Sequence, residues 1–279
     1  MKTYILHPAT FKLDGGAMFG IIPKPLWEKK IKPDDLNRIH MSLRVMFFET
    51  ENKKVLIDTG IGEYHNEKFY KNFAITSEDN PLVKALATIN VKPEEITDVI
   101  LTHLHFDHVG GIADKDGNLL FKNAIIHTHR KHYEYALSPS DRDGGSFHSH
   151  IFKNVLDQGK IEFLDELEGT IIKDGDDEIK YKTSFGHTPY MIHPYNDKYI
   201  YMADLVPMSH HVPIPWVMGY DIEPAVTTKY KKEFYDFIID KDLTMIFEHD
   251  NDNWGAKIID SQKYGLDKNL SDKSKSIEI

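Results

Sequence analysis

The most informative stretch of the sequence is Thr102-His103-Leu104-His105-Phe106-Asp107-His108-Val109-Gly110-Gly111, which follows an apolar, strand-like run. In an extended chain, side chains two residues apart point the same way, so His103 and His105 can bind one ion together. Asp107 and His108 come where the paired glycines permit a tight turn, and they can face a second ion. The competing interpretation is a surface histidine cluster in which Asp107 caps a helix. The pattern favours a metal site.

Three more candidate ligands stand far from this motif in sequence. His187 lies in a turn-like segment, and Asp204 and His249 each follow an apolar, strand-like run. If those strands share a direction, their ends form one rim at which the candidates meet. A charged Asp204 after a buried strand is costly to desolvate unless it is paired or bound to a metal. Taken singly, the three could be a turn histidine, a helix cap and a surface histidine; taken with the first motif, they favour a metal centre.

The composition narrows the classes of function. The 279 residues include 34 lysines and arginines against 44 acidic residues, a net charge of −10, which disfavours nucleic acid and anionic membranes as partners. The absence of cysteine excludes a disulfide scaffold, a cysteine-type zinc finger, an iron–sulfur site and a thiol nucleophile. With 16 histidines available, any metal site must consist of imidazoles and carboxylates.

The chain shows no repeat and no low-complexity linker, so a single domain over residues 1–279 is predicted. Residues 271–279 are polar, and we expect them to form a frayed tail. The N-terminus has no apolar run of signal-peptide length, and no stretch approaches the ~18 apolar residues of a membrane span. The cytoplasm is therefore the expected compartment.

Short β-branched or aromatic runs alternate with helical patterns along the chain. One helix is predicted around Tyr230, Phe234 and Ile238, which recur at helical spacing, and another begins at Pro81. The alternation predicts an α/β fold in which helices cover the sheets. The predicted strands lie at 43–48, 54–57, 98–101, 123–126, 199–202 and 243–247.

Taken together, these motifs resemble the metallo-β-lactamase-fold hydrolases, most of all the branch of N-acyl-homoserine lactonases and methyl-parathion-hydrolase-like enzymes. The resemblance covers nearly the whole chain and implies an αβ/βα four-layer sandwich with the site on one edge. The motifs that carry it are Asp58-Thr59-Gly60, His103 to His108, Gly186-His187-Thr188-Pro189, Asp204, His249, Phe19-Gly20-Ile21-Ile22-Pro23-Lys24 and His210-His211-Val212-Pro213.

The resemblance also implies a ligand set for two divalent ions. Asp204 would bridge the ions, and Asp58 would orient a ligand imidazole from behind through a hydrogen bond. Imidazoles and carboxylates suit zinc, which we expect, and also manganese, iron or cobalt. The first ion would be held by His103, His105 and His187, and the second by Asp107, His108 and His249.

Several positions depart from the family pattern. Tyr190 stands where the family usually has glycine, and Pro207 stands where the homoserine lactonases have a tyrosine that assists at the substrate carbonyl. Classical zinc β-lactamases commonly use a cysteine ligand, so β-lactam hydrolysis is not expected as the main role. The oxygen-reducing diiron relatives carry glutamate where His105 stands here and append a flavin domain, so redox chemistry is not expected either.

The predicted activity is dinuclear metal-dependent hydrolysis of small-molecule esters, above all lactones, by attack of a metal-bound hydroxide. Asp107 and Asp204 are the expected catalytic carboxylates, with Asp107 acting as both ligand and proton shuttle. Hydrolysis of phosphotriesters, phosphodiesters or thioesters is the alternative within enzymes. A catalytically idle binding protein that retains the fold is the alternative outside them.

The substrate pocket is predicted from aromatic, sulfur-containing and imidazole side chains near the motifs in sequence. Phe19, in a glycine-bounded loop, is the expected lid contact, or else it contacts a second subunit in a homodimer. The histidines at 127, 129 and 132 are expected at the surface, and those at 148 and 150 are expected to have no role. The predicted substrate contacts are Met18, Phe19, Phe106, Tyr190, His210 and Trp216.

Overall fold

Two mixed β-sheets, packed face to face and covered by helices, form the centre of the molecule. A computed structural model describes residues 1–77, 79–259, 264–272 and 274–279. The strands are β1 (Lys2–Asp14), β2 (Arg38–Glu49), β3 (Lys54–Ile57), β4 (Thr76–Ser77), β5 (Asp98–Ile100), β6 (Ile125–His129), β7 (Lys160–Leu164), β8 (Glu168–Asp174), β9 (Asp177–Ser184), β10 (Met191–Tyr195), β11 (Tyr199–Tyr201), β12 (Thr244–Ile246), β13 (Gly255–Ile258), β14 (Leu266–Leu270) and β15 (Ser276–Glu278). The α-helices are α1 (Gly15–Phe19), α2 (Lys24–Trp27), α3 (Glu67–Phe73), α4 (Pro81–Ala87), α5 (Phe106–Val109), α6 (Arg130–Leu137), α7 (Ser149–Leu156) and α8 (Pro224–Asp240).

The first sheet has the order β15-β1-β2-β3-β5-β6-β7, with β4 paired to β1, and the second has the order β14-β13-β12-β11-β10-β9-β8. Strands β3, β5, β6 and β7 run parallel to one another, as do β11 and β12. Parallel strands place their carboxyl ends at the same edge of a sheet. The residues that follow β3, β5, β11 and β12 therefore collect at one edge of the sandwich.

Both faces of the first sheet are buried, which explains the continuous apolar run of β2. Met46 and Phe48 pack between the two sheets, whereas Val45 and Phe47 point to the opposite side. That outer side is covered by apolar residues of α4 and α7. A strand buried on both faces loses the apolar/polar alternation of a half-exposed strand.

The second sheet is covered on its outer face by α8. The ring of Phe234 lies 4.6 Å from that of His193 on β10, and Phe237 lies 5.2 Å from Tyr195. The layers are therefore helix, sheet, sheet and helix, which confirms the predicted αβ/βα sandwich. No helix among the described residues is long and apolar enough to cross a membrane.

The prediction of a frayed tail is wrong for residues 276–278. This segment pairs antiparallel with β1, with Ile277 opposite Ile5. Ile277 and Ile279 pack against the core between the sheets. The prediction gave weight to the polar composition of the tail and not to its isoleucines. It also did not foresee that the tail pairs with the edge of β1. Residue 273 lies outside the described part of the chain.

Candidate metal centre

The predicted ligands project from strand ends at one edge of the sandwich. The motif at 102–111 follows β5, and its residues 106–109 form α5, which places three of its histidines and Asp107 over the sheet edge. Asp204 follows β11 in a short 3₁₀ turn, and His249 comes shortly after β12. All of these side chains are buried or nearly so. Their strand-end placement confirms the rim that the sequence predicted.

Four of these side chains direct ligand atoms at a common point. His105 Nδ1 lies 3.0 Å from His103 Nε2 and 3.1 Å from His187 Nε2. Asp204 Oδ2 lies 3.1 Å from His187 Nε2 and 3.9 Å from His103 Nε2. Ligand atoms on a tetrahedral zinc ion, with bonds of about 2.0–2.1 Å, lie about 3.4 Å apart. The four atoms therefore have the spacing of a tetrahedral site.

Three further ligands form a second group beside the first. His249 Nε2 lies 3.6 Å from Asp107 Oδ2 and 3.2 Å from Asp204 Oδ1. His108 Nε2 lies 3.6 Å from the same Asp204 Oδ1. Asp204 thus turns one carboxylate oxygen to each group, which is the arrangement of a bridging ligand.

Hydrogen bonds at the ring nitrogen that faces away from the site fix three of the imidazole rings. His108 Nδ1 lies 2.9 Å from Asp58 Oδ2, the kind of contact that the family resemblance implied for Asp58. His187 Nδ1 lies 2.9 Å from Asp221 Oδ1, and His249 Nδ1 donates to a backbone carbonyl. Such contacts leave the opposite nitrogen as a lone-pair donor aimed at the ion.

The donor set fits a pair of divalent cations. His108 Nε2 and Asp204 Oδ1 are buried without a hydrogen-bond partner among the described residues. Buried polar atoms are ordinarily paired, so orphaned atoms that converge on one point indicate an absent ligand. Nitrogen and carboxylate donors without thiolates suit zinc, iron, manganese or cobalt. The residues therefore fit the metal ions that the fold family implies.

Charges at the site reinforce this fit. Burial acts to lower the pKa of His187 and His249, but the neighbouring carboxylates, Asp204 foremost, together outweigh it and raise each to about 9. Burial lowers the pKa of His103 and His105 well below the usual value, so both rings stay neutral and free to bind a metal. A bound cation would replace the protons that Asp204 otherwise attracts to the site.

Glu248 is a buried carboxylate at the centre that sequence reasoning missed. Its Oε2 lies 2.9 Å from His108 Nδ1, so His108 faces two carboxylates, those of Glu248 and Asp58. Burial raises the pKa of Glu248 to about 7, although the neighbouring histidines oppose this. An acidic residue directly before His249, in an otherwise apolar run, was the signal in the sequence. Asp221, which holds His187, had no comparable signal.

Backbone geometry brings the ligand loops together. Asp58 has φ of 56°, and Ala203, which precedes Asp204, has φ of 41°. Left-handed backbone outside glycine is strained and is concentrated at functional sites. At Gly111 a Cβ would overlap the carbonyl oxygen of Thr59, so only glycine lets the Asp58 loop approach the histidine motif this closely.

A cavity of about 290 Å³ opens onto the candidate ligands. The predicted Met18 and Phe106 line it, together with three polar side chains that sequence reasoning missed, those of Arg142, Ser146 and Tyr220. The other apolar lining side chains are Leu13, Met41, Phe73 and Met218, and the candidate ligands in the lining are His105, Asp107, His187, Asp204 and His249.

Phe19 and Trp216 do not line this cavity, so their predicted substrate contacts are not found. Phe19 is fully buried and its ring stacks on His211 at 4.9 Å and on Trp27 at 5.3 Å. Trp216 packs edge-on against Phe19 at 5.7 Å. The glycines around Phe19 suggested an exposed loop tip, but the residue ends α1 and packs into a local core.

Tyr190 and His210 are also absent from the cavity lining, contrary to prediction. Tyr190 adopts φ of 58° and stacks on His129 at 4.6 Å. The left-handed backbone explains why the family has glycine at this position, and the stacking accommodates the side chain here. His210 is half-buried, and burial is the main reason that its pKa is lowered.

The prediction that the histidines at 127, 129 and 132 lie at the surface is wrong. All three are buried, and His127 pairs with Asp98 at 2.9 Å. His148, expected to have no role, stacks on the cavity residue Phe106 at 5.3 Å. The side chain of His150 lies outside the described part of the structure. Charged neighbours around β6 and α6 concealed these buried rings in the sequence.

Comparisons with known proteins agree with this geometry. Residues 44–249 match the model of the metallo-beta-lactamase superfamily. An N-acyl homoserine lactonase from Bacillus cereus is 36% identical over 110 residues, 36% of this chain and 41% of that relative. This chain thus spans about two fifths of the length of the curated relatives it matches.

Two solved structures resemble the whole chain. A probable metal-dependent hydrolase from Staphylococcus aureus has a TM-score of 0.86 at 26% identity, covering 98% of this chain and 97% of that one. AidC, a dizinc quorum-quenching lactonase, has a TM-score of 0.76 at 21% identity, covering 95% of this chain and 92% of that one. From the family match over most of its length, the chain belongs to the metallo-beta-lactamase superfamily.

Proposed function

We propose that this protein is a metal-dependent hydrolase of small-molecule esters, with lactones as the foremost substrates. The observation that carries the proposal is the divided carboxylate of Asp204, whose Oδ2 lies 3.1 Å from His187 Nε2 and whose Oδ1 lies 3.2 Å from His249 Nε2. One carboxylate shared by two ligand groups suits a pair of ions that work on one substrate. Zinc, a cytoplasmic location and a homodimer belong to the same proposal.

Seven side chains would hold the two ions. Paired divalent cations supply a nucleophile from water at neutral pH and polarise the substrate oxygen. Asp204 would bridge the ions. The first site would use His103, His105 and His187, and the second Asp107, His108 and His249.

Asp107 and Tyr220 supply the remaining chemistry from the cavity wall. Asp107 Oδ2 lies 3.6 Å from His249 Nε2, and the residue also lines the cavity, so it can move a proton between water and the leaving oxygen. Burial, with the charges of Asp14 and Asp107, raises the pKa of Tyr220 to about 12. Its hydroxyl therefore stays protonated and can donate a hydrogen bond to a substrate oxygen. In this way Tyr220 would replace the tyrosine that the homoserine lactonases have at the position of Pro207.

The cavity wall favours an apolar acyl group. Thioether and aromatic side chains at Met18, Met41, Phe106 and Met218 line the space in front of the ligands. Binding cavities for small organic molecules are mostly apolar, with a few polar groups that orient the ligand. An ester with an aliphatic acyl chain matches this wall better than a polyanion does.

The test is hydrolysis by purified protein, reconstituted separately with zinc, manganese and cobalt, on a panel of acyl lactones, aryl esters, thioesters and organophosphates. We expect about two ions per chain and turnover that is greatest on lactones. Asp204→Ala should lose the second ion and all hydrolysis. Asp165→Asn alters an exposed carboxylate paired with Arg130 and serves as the control, with metal content and turnover unchanged.

Two outcomes would contradict the proposal. Less than one bound ion per chain after reconstitution would remove the dinuclear centre. Two bound ions with turnover only on organophosphates or thioesters would replace lactones with the alternative substrate class.

A further inference from the structure

Arg142 places a positive charge on the rim of the cavity that the proposed mechanism does not use. We propose that it selects esters and lactones carrying an anionic group, such as a carboxylate, at the end remote from the scissile bond. The inference rests on the proposed function and specifies the substrate class of the same site. Arg142 lines the cavity together with Asp107, Asp204 and His249.

The guanidinium is held in place by backbone carbonyls. Arg142 Nη2 donates to Gly219 O at 2.6 Å and to Asp221 O at 3.3 Å. Both contacts use Nη2, and they fix the orientation of the side chain. No described group accepts a hydrogen bond from Nη1 or Nε. The side chain is therefore positioned but retains two nitrogens with donor capacity.

No carboxylate among the described residues neutralises this charge. In contrast, Arg38 pairs with Asp34 at 2.9 Å and Arg130 pairs with Asp165 at 2.6 Å. The adjacent Asp143 is occupied by hydrogen bonds from Tyr135 and Ser140. An unpaired arginine on a cavity rim is unexpected in a chain with 44 acidic residues against 34 basic ones.

The charge of the cavity also favours an anion. Asp107 and Asp204 contribute two negative charges to the lining, and two divalent cations would more than offset them. Arg142 is the one lysine or arginine among the described residues that line the cavity, and its positive charge beside apolar walls attracts an anionic group. The Met18, Met41 and Met218 side chains offer apolar contacts for an aliphatic spacer.

Matched substrates can test the charge alone. Phenyl monoesters of dicarboxylic acids with four to eight carbons would be compared with phenyl esters of monocarboxylic acids of equal length. We expect the wild-type kcat/KM to favour the carboxylate-ended ester at one or more lengths by up to about fivefold, the effect of one solvent-accessible ion pair. Because the rim is exposed, the preference should fall as salt is added.

Three variants distinguish the effect of the Arg142 charge from its structural contacts with the backbone of Gly219 and Asp221. Arg142→Gln should abolish the preference, whereas Arg142→Lys should retain part of it because the charge remains. Arg130→Gln, which removes an exposed arginine that does not line the cavity, should leave the preference intact. If Arg142→Gln lowers kcat/KM equally for both ester series, Arg142 serves only to tether Gly219 and Asp221, and the proposal is overturned.

Calorimetry on the metal-loaded protein provides a readout that does not depend on turnover. At the chain length with the greatest preference, wild type should bind the dicarboxylate product up to about fivefold more tightly than the monocarboxylate product, whereas Arg142→Gln should bind the two equally. Equal binding by wild type would overturn the proposal. Hydrolysis of the monocarboxylic esters without preference at any length would refute only the role of Arg142, whereas no hydrolysis of any lactone or ester would refute the proposed function.

Discussion

Replacing His132 by alanine would remove a buried connection between two ligand-bearing segments. His132 Nε2 accepts a hydrogen bond of 2.9 Å from Leu104 N, inside the histidine motif, and Nδ1 donates one of 2.7 Å to Pro189 O, two residues after His187. Burial lowers the pKa of His132 to about 4, so at neutral pH the ring is uncharged and can make both contacts. The ring therefore fixes the spacing between His105 and His187.

The magnitude follows from the two broken hydrogen bonds. A buried donor or acceptor left unsatisfied costs about 1–3 kcal/mol, so the two groups together cost about 2–6 kcal/mol of unfolding free energy. Asparagine can replace the Nδ1 contact to Pro189 and glutamine the Nε2 contact from Leu104, so each variant should recover about half of the loss. Urea denaturation of the metal-free protein measures these differences.

Metal affinity distinguishes positioning from general stability. We expect His132→Ala to weaken binding at the first site by about tenfold, as loss of a supporting contact does elsewhere. His127→Ala is the control, because His127 is equally buried but bonds to Asp98, which is not a proposed ligand. That control should lower stability without changing metal affinity. The reasoning fails if His132→Ala and His127→Ala have the same effect on metal affinity measured with a competing chelator.

Three further predictions concern protonation. Because the pKa values of His187 and His249 are raised to about 9 in the metal-free protein, a metal ion must displace their protons, and chelator competition should show affinity rising from pH 6 to pH 9. Burial lowers the pKa values of His193 and His211 to about 3. The free energy of unfolding should therefore fall by up to about 1.4 kcal/mol per pH unit for each histidine as the pH drops below 6.5. Urea denaturation midpoints that stay constant from pH 6.5 to pH 4 would contradict this prediction. Asp107→Asn should reduce kcat about a hundredfold or more while the first site keeps its metal, and an unchanged kcat would remove the proton-transfer role.

The convergence of the candidate ligands could be predicted because its signals are local. Four candidates lie within six residues, and Asp204 and His249 follow apolar runs that form parallel strands β11 and β12. Strand direction then brings distant residues together without knowledge of side-chain packing. The supporting carboxylate of Asp58 was identified through its motif, whereas Asp221 pairs with His187 from 34 residues further along the chain, beyond β10 and β11, in a turn without a motif.

The pocket could not be predicted because proximity in sequence does not report packing. Phe19 and Met18 are neighbours in α1, yet Met18 lines the cavity and Phe19 stacks on His211 in the core behind it. Strand β1 was missed for a related reason. Its Pro8 lies between Leu6 and Ala9, where the pairing with β2 shifts register, and a proline at a bulge interrupts the strand pattern without ending the strand.

The cavity rim is held by hydrogen bonds to backbone carbonyls, so its structure does not depend on the apolar side chains that line the cavity. His211 Nε2 lies 2.8 Å from Met18 O, Gly219 N donates to Ala17 O at 2.7 Å, and Arg142 Nη2 donates to Gly219 O at 2.6 Å. These contacts join three distant segments, and all three end on backbone carbonyls of residues at or beside lining positions. The lining side chains of Met18 and Met218 can therefore change without breaking the contacts that hold the rim. Substrate preference can vary at these positions while the seven proposed ligands, fixed to strand ends, continue to support the same hydrolytic chemistry.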